Sequence, residues 1–156
     1  MSTQATNVTA MVRKTLSDQP VLCVRSTRED GPAAGEAIAE AAQVLENQGL
    51  LSAGPPYLTS VESGGWEAGV PVDRAGVAEG RVVPGVLPGG EVASAYFAGN
   101  IYDVEKVEAV VANLRSQIEA AGLEPAGPLR WVYLTAPELT QDPDNHYTEL
   151  HWPVKG

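Results

Sequence analysis

Two histidines and a serine beside two glycines are the residues of this sequence that most resemble parts of a catalytic or metal site. His146 and His151 lack the cysteines or carboxylates that accompany histidine in a zinc site, so we expect packed or solvated histidines and no metal. Ser63 precedes two glycines, but Val61 stands where a nucleophile elbow needs its first glycine. The same stretch lacks the lysine of a P-loop and the spacing of a dinucleotide fingerprint. We interpret it as a hairpin turn and expect no cofactor, and the sequence leaves any catalytic residue unknown.

The aromatic residues are more informative. All nine lie in or beside predicted strands or at the entrance of the second predicted helix: Tyr57, Trp66, Tyr96, Phe97, Tyr102, Trp131, Tyr133, Tyr147 and Trp152. Trp131 and Tyr133 share one face of a strand, because side chains alternate with a period of two. Each aromatic alone is more typical of a core. However, two helices already supply apolar stripes, so a second, aromatic face would line a site for flat apolar ligands.

Two amphipathic helices are predicted. The first runs from about residue 34 to 48 and has an apolar stripe at Ile38, Ala41, Ala42 and Leu45. The second follows the N-cap Asp103 and has its stripe at Val104, Val107, Val111, Leu114 and Ile118. Gly49 and Gly122 stand where each helix needs a left-handed residue to end.

Short apolar or alternating runs predict strands at 8–14, 20–25, 56–61, 66–72, 81–87, 92–97, 130–135 and 147–154. Their order around the helices favours an α+β fold. The sequence Gly49–Pro55 is echoed by Gly122–Pro128 at a constant spacing of 73 residues, each time between a helix and a strand. We therefore predict one domain at 8–154 made of two similar halves, with a ligand cleft where they meet, after a flexible N-terminus at 1–7.

Composition restricts the possible partners. Ten Lys and Arg against twenty Asp and Glu give a net charge of −10, which argues against binding nucleic acid or anionic membranes. The single cysteine, Cys23, lies in an apolar run and is expected to be a buried, inert thiol. The polar residues 1–6 do not resemble a signal peptide, and no apolar run is long enough to span a membrane. We expect a cytoplasmic protein, as a monomer or weak homodimer.

Four segments together resemble the GyrI-like small-molecule-binding domain, the effector domain of many AraC- and MerR-type multidrug regulators. They are Trp66–Val72, Leu87–Ala93, Ala126–Pro128 before Val132–Leu134, and Thr148–Leu150 before Trp152–Val154. The resemblance covers about residues 8–154. It implies two β-α-β-β halves related by a pseudo-twofold axis, with the ligand cleft between them. No helix-turn-helix fits before the first strand, so we expect a stand-alone member.

The sequence departs from the family at polar positions. Trp131 stands where the family carries a Glu that pairs with cationic drugs, and Phe97 and Ile101 replace a His and a Tyr near Gly99. Glu67 or Glu149 could replace the missing carboxylate from another strand. We therefore expect a ligand cleft lined by Trp66, Tyr96 or Phe97, Trp131 and Tyr133. The other candidate ligand-binding residues are Tyr57, Glu67, Tyr102 and Glu149.

Two functions remain open. The first is binding of small, planar, hydrophobic aromatic ligands, cationic ones included. The second is hydrolysis, because a subfamily of GyrI-like proteins with an aromatic cage hydrolyses strained, cyclopropane-bearing electrophiles. An aromatic cage could stabilise the positive charge that develops as the ring opens, and Glu67, Glu149 or Tyr133 would then orient water.

Overall fold

The computed structural model describes residues 10–27, 33–61, 64–100, 103–134 and 147–156. These residues form two helices and nine strands. The helices are α1 (Ala33–Asn47) and α2 (Val104–Ala120). The strands are β1 (Val12–Leu16), β2 (Gln19–Ser26), β3 (Tyr57–Ser60), β4 (Trp66–Pro71), β5 (Val83–Leu87), β6 (Gly90–Ala98), β7 (Glu124–Pro125), β8 (Arg130–Tyr133) and β9 (Tyr147–Lys155). The α+β prediction is confirmed. Neither helix has the length and apolar character needed to cross a membrane, within the part of the chain described.

The chain divides into two compact units. The central unit contains residues 16–90, and the terminal unit contains residues 1–15 and 91–156. In the central unit the strand order is β3-β4-β2-β5, with β4 antiparallel to both β3 and β2, and β2 antiparallel to β5. In the terminal unit the order is β1-β6-β9-β8, and β9 is antiparallel to β6, β8 and the short β7. Each unit therefore contains a strand, a helix and a β-hairpin-like pair in the same sequence order. The pseudo-twofold axis stays a prediction.

Helix α1 packs on β2 and β4 of the central unit through a seam made largely of alanines. The buried residues of the helix are Ala33, Ala37, Ala41 and Val44. The predicted stripe was wrong at Ala42, which is exposed, whereas Ile38 and Leu45 flank the seam partly buried. Alanine occurs on several faces of this helix, so apolar spacing alone does not identify the buried face. Small side chains let the helix approach the sheet closely, and this favours the alanine line.

Helix α2 packs on β6 and β9 of the terminal unit. Asp103 is the N-cap, as predicted, and its side chain accepts a hydrogen bond from the backbone N–H of Lys106 at 3.2 Å. Val110, Leu114 and Ile118 are fully buried, at a spacing of four. Val104 was predicted to be in the core but is 65% exposed, because it lies at the edge of the stripe that this spacing defines.

The glycines that end the helices adopt the expected conformation. Gly49 has φ 67° and Gly122 has φ 78°, both in the left-handed region. The strand predicted at 81–87 begins only at Val83, and the two-residue β7 was not predicted. The proposed N-terminal segment 1–7 lies outside the described residues.

Candidate ligand site

Each unit has one sheet face that carries no helix, and each of these faces contains a buried carboxylate. In the terminal unit, Ala93, Ala95 and Phe97 belong to the cluster packed on α2. Ser94 and Tyr96 alternate with them and therefore lie on the opposite face. Their cross-strand partners are His151 and Glu149 of β9. We call this surface, formed by Lys14, Ser94, Tyr96, Glu149 and His151, the helix-free face of the terminal unit.

Glu149 is the centre of this face. It is only 8% exposed, and one carboxylate oxygen, Oε2, accepts two hydrogen bonds. Nζ of Lys14 donates at 2.6 Å, and Oγ of the buried Ser94 donates at 2.7 Å. A buried charge is costly unless it is paired and hydrogen-bonded. The lysine from β1 and the serine from β6 satisfy that requirement.

His151 is the third group at the same oxygen. Its Nε2 lies 2.9 Å from Oε2 of Glu149. Nε2 is nevertheless buried and makes no hydrogen bond of good geometry within the described part of the chain. Burial lowers the pKa of His151, and the nearby cations Arg130 and Lys14 lower it further, although Glu149 opposes them. His151 is therefore a neutral imidazole at pH 7.

The charges of the Glu149 and Lys14 side chains are set by their mutual contact. Burial by itself would raise the pKa of Glu149, but hydrogen bonds from Lys14 and Ser94, together with the close approach of His151, outweigh it and hold the pKa below its ordinary value. The hydrogen bond to Glu149 raises the pKa of Lys14. The ammonium of Lys14 also lies 5.7 Å from the centroid of the Tyr96 ring, within the range of a cation–π interaction.

The helix-free face of the central unit has a comparable carboxylate. Glu67 is 7% exposed. The hydroxyl of Tyr57 donates to its Oε2 at 2.5 Å, and Nε of Arg25 donates to its Oε1 at 2.8 Å. Tyr57 is itself 1% exposed. Burial, and then the hydrogen bond to Glu67, raise the pKa of the Tyr57 phenol far above its ordinary value, so the tyrosine stays a donor.

Each carboxylate lies on a strand that pairs antiparallel with the preceding strand of its unit. Glu67 of β4 lies opposite Thr59 of β3. Glu149 of β9 lies opposite Val132 of β8. The sequence predicted both carboxylates as binding residues, and each proves to be a buried anchor of a hydrogen-bond network. Contact of either with a ligand stays a prediction.

Several predicted aromatic ligand residues lie instead on the helix side of the sheets. Phe97 is fully buried against α2. Trp131 and Trp66 are partly buried against the α2 and α1 clusters respectively. The expectation that the aromatic residues form a face separate from the helix-packed core was wrong for these three, because strand alternation directs their side chains towards the helices. Their contact with a ligand stays a prediction that this packing disfavours.

Tyr96 is 41% exposed, whereas Tyr133 is half-buried like Trp131, with which it shares a face of β8. Of the alternatives Tyr96 and Phe97, the placement favours Tyr96. Tyr102, His146 and Ser63 lie outside the described residues.

Sequence reasoning missed the partners of the two carboxylates. Lys14, Arg25 and Ser94 were not considered, and His151 was set aside as a packed or solvated histidine. A usable signal was present for Ser94 and His151, since the residues that alternate with them on their strands are apolar. Cys23 lies on β2, fully buried, as predicted. Burial raises its pKa to about 11, and the charge of Glu67 contributes to the rise. No group of three or more potential metal ligands occurs among the residues that the structure describes.

Comparison with known proteins gives one family and several structures. The model of the GyrI-like small molecule binding domain matches residues 12–155. No curated protein gives a significant match. The C-terminal domain of EcmrR has 18% sequence identity to the chain and a TM-score of 0.79, covering 93% of this chain and 96% of that one.

Two further structures are less similar. A hydrolase encoded by lin2189 from Listeria innocua has 15% identity and a TM-score of 0.65, covering 93% and 91% of the two chains. SAV2435 bound to tetraphenylphosphonium has 15% identity and a TM-score of 0.57, covering 95% of each chain. Identities this low establish the fold alone. The family model spans all described strands and both helices, and the chain belongs to the GyrI-like small molecule binding domain family.

Proposed function

We propose that this chain is a cytoplasmic protein that binds planar, hydrophobic aromatic small molecules on its helix-free faces. Membership of a small-molecule-binding family supports binding in general. The accessible ring of Tyr96 beside the buried Glu149 network supports the aromatic class of ligand in particular.

The observation that carries the proposal is the polar character of a sheet face that is otherwise well buried. Ser94 is 1% exposed and Glu149 is 8% exposed, yet neither belongs to an apolar core. Burying such groups costs free energy even when they are hydrogen-bonded, so they are typical of sites that orient a ligand. The Tyr96 ring at their edge offers a flat surface for stacking, which contributes about 1 kcal/mol beyond simple burial.

Direct titration tests the proposal. Acridine, which is planar and uncharged at pH 8, is added to the protein and its binding is followed by calorimetry and by quenching of tryptophan fluorescence. We expect a dissociation constant in the micromolar range, about −8 kcal/mol, because a few fixed polar groups add little to apolar contact.

The variant Tyr96→Ala should weaken binding by about tenfold, the equivalent of losing one stacked ring. The matched control is Leu51→Ala, which removes another exposed apolar side chain, 66% exposed, from the central unit. Absence of binding by acridine and by larger planar aromatics, or equal loss in both variants, would contradict the proposal.

A second candidate function is hydrolysis of cyclopropane-bearing electrophiles, and the contact between His151 and Glu149 favours it. A neutral imidazole 2.9 Å from a carboxylate can act as a general base for water. The water oxygen would form a bond to a ring carbon while a ring C–C bond breaks. The electron pair would move into the conjugated acceptor of the substrate, which then takes up the proton. Two structural neighbours bear the name hydrolase.

Turnover separates the two functions. A cyclopropane-bearing alkylator incubated with catalytic amounts of protein should give many equivalents of water adduct by mass spectrometry if the chain is a hydrolase, and far fewer with His151→Gln. Recovery of unchanged compound, with one equivalent or less bound, would leave the chain a binding protein.

A further inference from the structure

Lys14 of β1 contacts both a carboxylate and an aromatic ring. These are the two contacts that we would expect of a cationic ligand bound at an aromatic site. The Lys14 ammonium lies 2.6 Å from Oε2 of Glu149 and 5.7 Å from the centroid of the Tyr96 ring. A carboxylate and an aromatic ring are the two groups that usually attract a ligand cation in an apolar site. Here the chain itself supplies the cation.

Glu67 in the central unit is neutralised in the same way. Nε of Arg25 forms an ion pair with Oε1 of Glu67 at 2.8 Å. The other carboxylate oxygen, Oε2, accepts a hydrogen bond from the Tyr57 hydroxyl. Both buried carboxylates of the helix-free faces are therefore balanced by a cation from another strand of the same unit. Neither carboxylate presents an uncompensated negative charge to a ligand.

Resting on the proposed function, we propose that Lys14 occupies the position of a ligand cation, so that the site accepts uncharged planar ring systems and discriminates against permanently cationic ones. A cationic ligand beside Tyr96 would have to displace the ammonium from Glu149 or remain close to a like charge. An uncharged ring system stacks on Tyr96 without disturbing the ion pair. The side chain of Lys14 is 36% exposed, so its contribution is moderated by solvent and should be modest.

A matched pair of probes tests the inference. Acridine and 10-methylacridinium have nearly the same planar shape, and at pH 8 only the second carries a charge. We expect the unmodified protein to bind acridine about tenfold more tightly, the size of one cation–π contact plus a partly exposed ion pair. Equal or tighter binding of 10-methylacridinium would overturn the inference without any variant.

Variants then test whether Lys14 causes the preference for uncharged over cationic ligands. Lys14→Met should raise the affinity for 10-methylacridinium relative to that for acridine about tenfold. Lys14→Met/Glu149→Gln, which removes both charges, should abolish the gain. Arg13→Met is the control, since it removes an equal charge from the adjacent residue of β1, where Arg13 pairs with Glu91.

The outcomes separate this inference from the function on which it rests. If neither probe binds any variant, the proposed function and the inference fail together. If acridine binds but Lys14→Met leaves the ratio of the two affinities unchanged, only the inference fails. Circular dichroism establishes that each variant is folded, and Lys14→Gln repeats the test with a polar side chain of similar length if Lys14→Met does not fold.

Discussion

Gly69 of β4 is the position where adding one methyl group should damage the structure most clearly. It lies between Cys23 of β2 and Tyr57 of β3 in the central sheet. A Cβ atom at Gly69 would lie 2.7 Å from Cα and 2.9 Å from Cβ of Cys23, and closer still to the carbonyl oxygen of Leu22. Because these are backbone or near-backbone atoms, no side-chain rotation can relieve the overlap.

The magnitude follows from the displacement needed. Normal contact requires β2 and β4 to separate by roughly 1 Å at this point, which would weaken about two ladder hydrogen bonds and the packing beside them. We therefore expect Gly69→Ala to lower the free energy of unfolding by ~2–4 kcal/mol. For a chain of this size that corresponds to a fall in melting temperature of roughly 5–15 °C.

Urea and thermal unfolding followed by circular dichroism measure the effect. The control is Gly85→Ala on β5, the strand on the other side of β2. A Cβ at Gly85 would lie 3.4 Å from Sγ of Cys23, which is an ordinary contact distance. That variant should melt within about 2 °C of the unmodified protein. Equal melting temperatures for the two variants would refute the close approach of β2 and β4 at Gly69.

Three further predictions concern the buried polar groups. Tyr57→Phe removes the 2.5 Å hydrogen bond to Glu67 and should lower the free energy of unfolding, measured in urea, by about 1.5–3 kcal/mol. The control is Tyr147→Phe, at a residue that is 52% exposed, which should change this free energy by less than about 0.5 kcal/mol. The lowered pKa of His151 means that the unfolded chain takes up its proton first, so stability should fall as the pH drops below about 6.5. Urea titrations of His151→Gln should show a smaller fall. Cys23 has no exposed surface and its pKa is raised to about 11. It should therefore react with iodoacetamide at pH 8 on the order of a hundredfold more slowly in the folded protein than in urea. Equal rates would contradict the burial of this thiol.

The helices and most strands could be predicted because their signals are local. Asp103 caps α2 and Gly49 ends α1 through the conformations that those residue types favour. The buried face of α1 could not be predicted, since alanine contributes little to an apolar pattern and is preferred here for close packing. That preference depends on the sheet underneath and not on the helix sequence.

The candidate site was predicted in part for a similar reason. Glu67 and Glu149 were identified through family resemblance, and alternation along β4 and β9 then explains why both lie on helix-free faces. The pairing of Lys14 with Glu149 could not be inferred, because it joins residues far apart in sequence. Trp131 was assigned to the ligand because its residue type suits one, whereas the direction of its side chain depends on which sheet face α2 covers.

A crystal structure of the protein with acridine tests the central claim most directly. The claim predicts the ring system in van der Waals contact with Tyr96, on the sheet face that carries Glu149 and opposite α2. The ion pair between Lys14 and Glu149 should persist in the complex. Acridine bound only on the outer surface of α1 or α2, with Tyr96 free of ligand, would contradict the account.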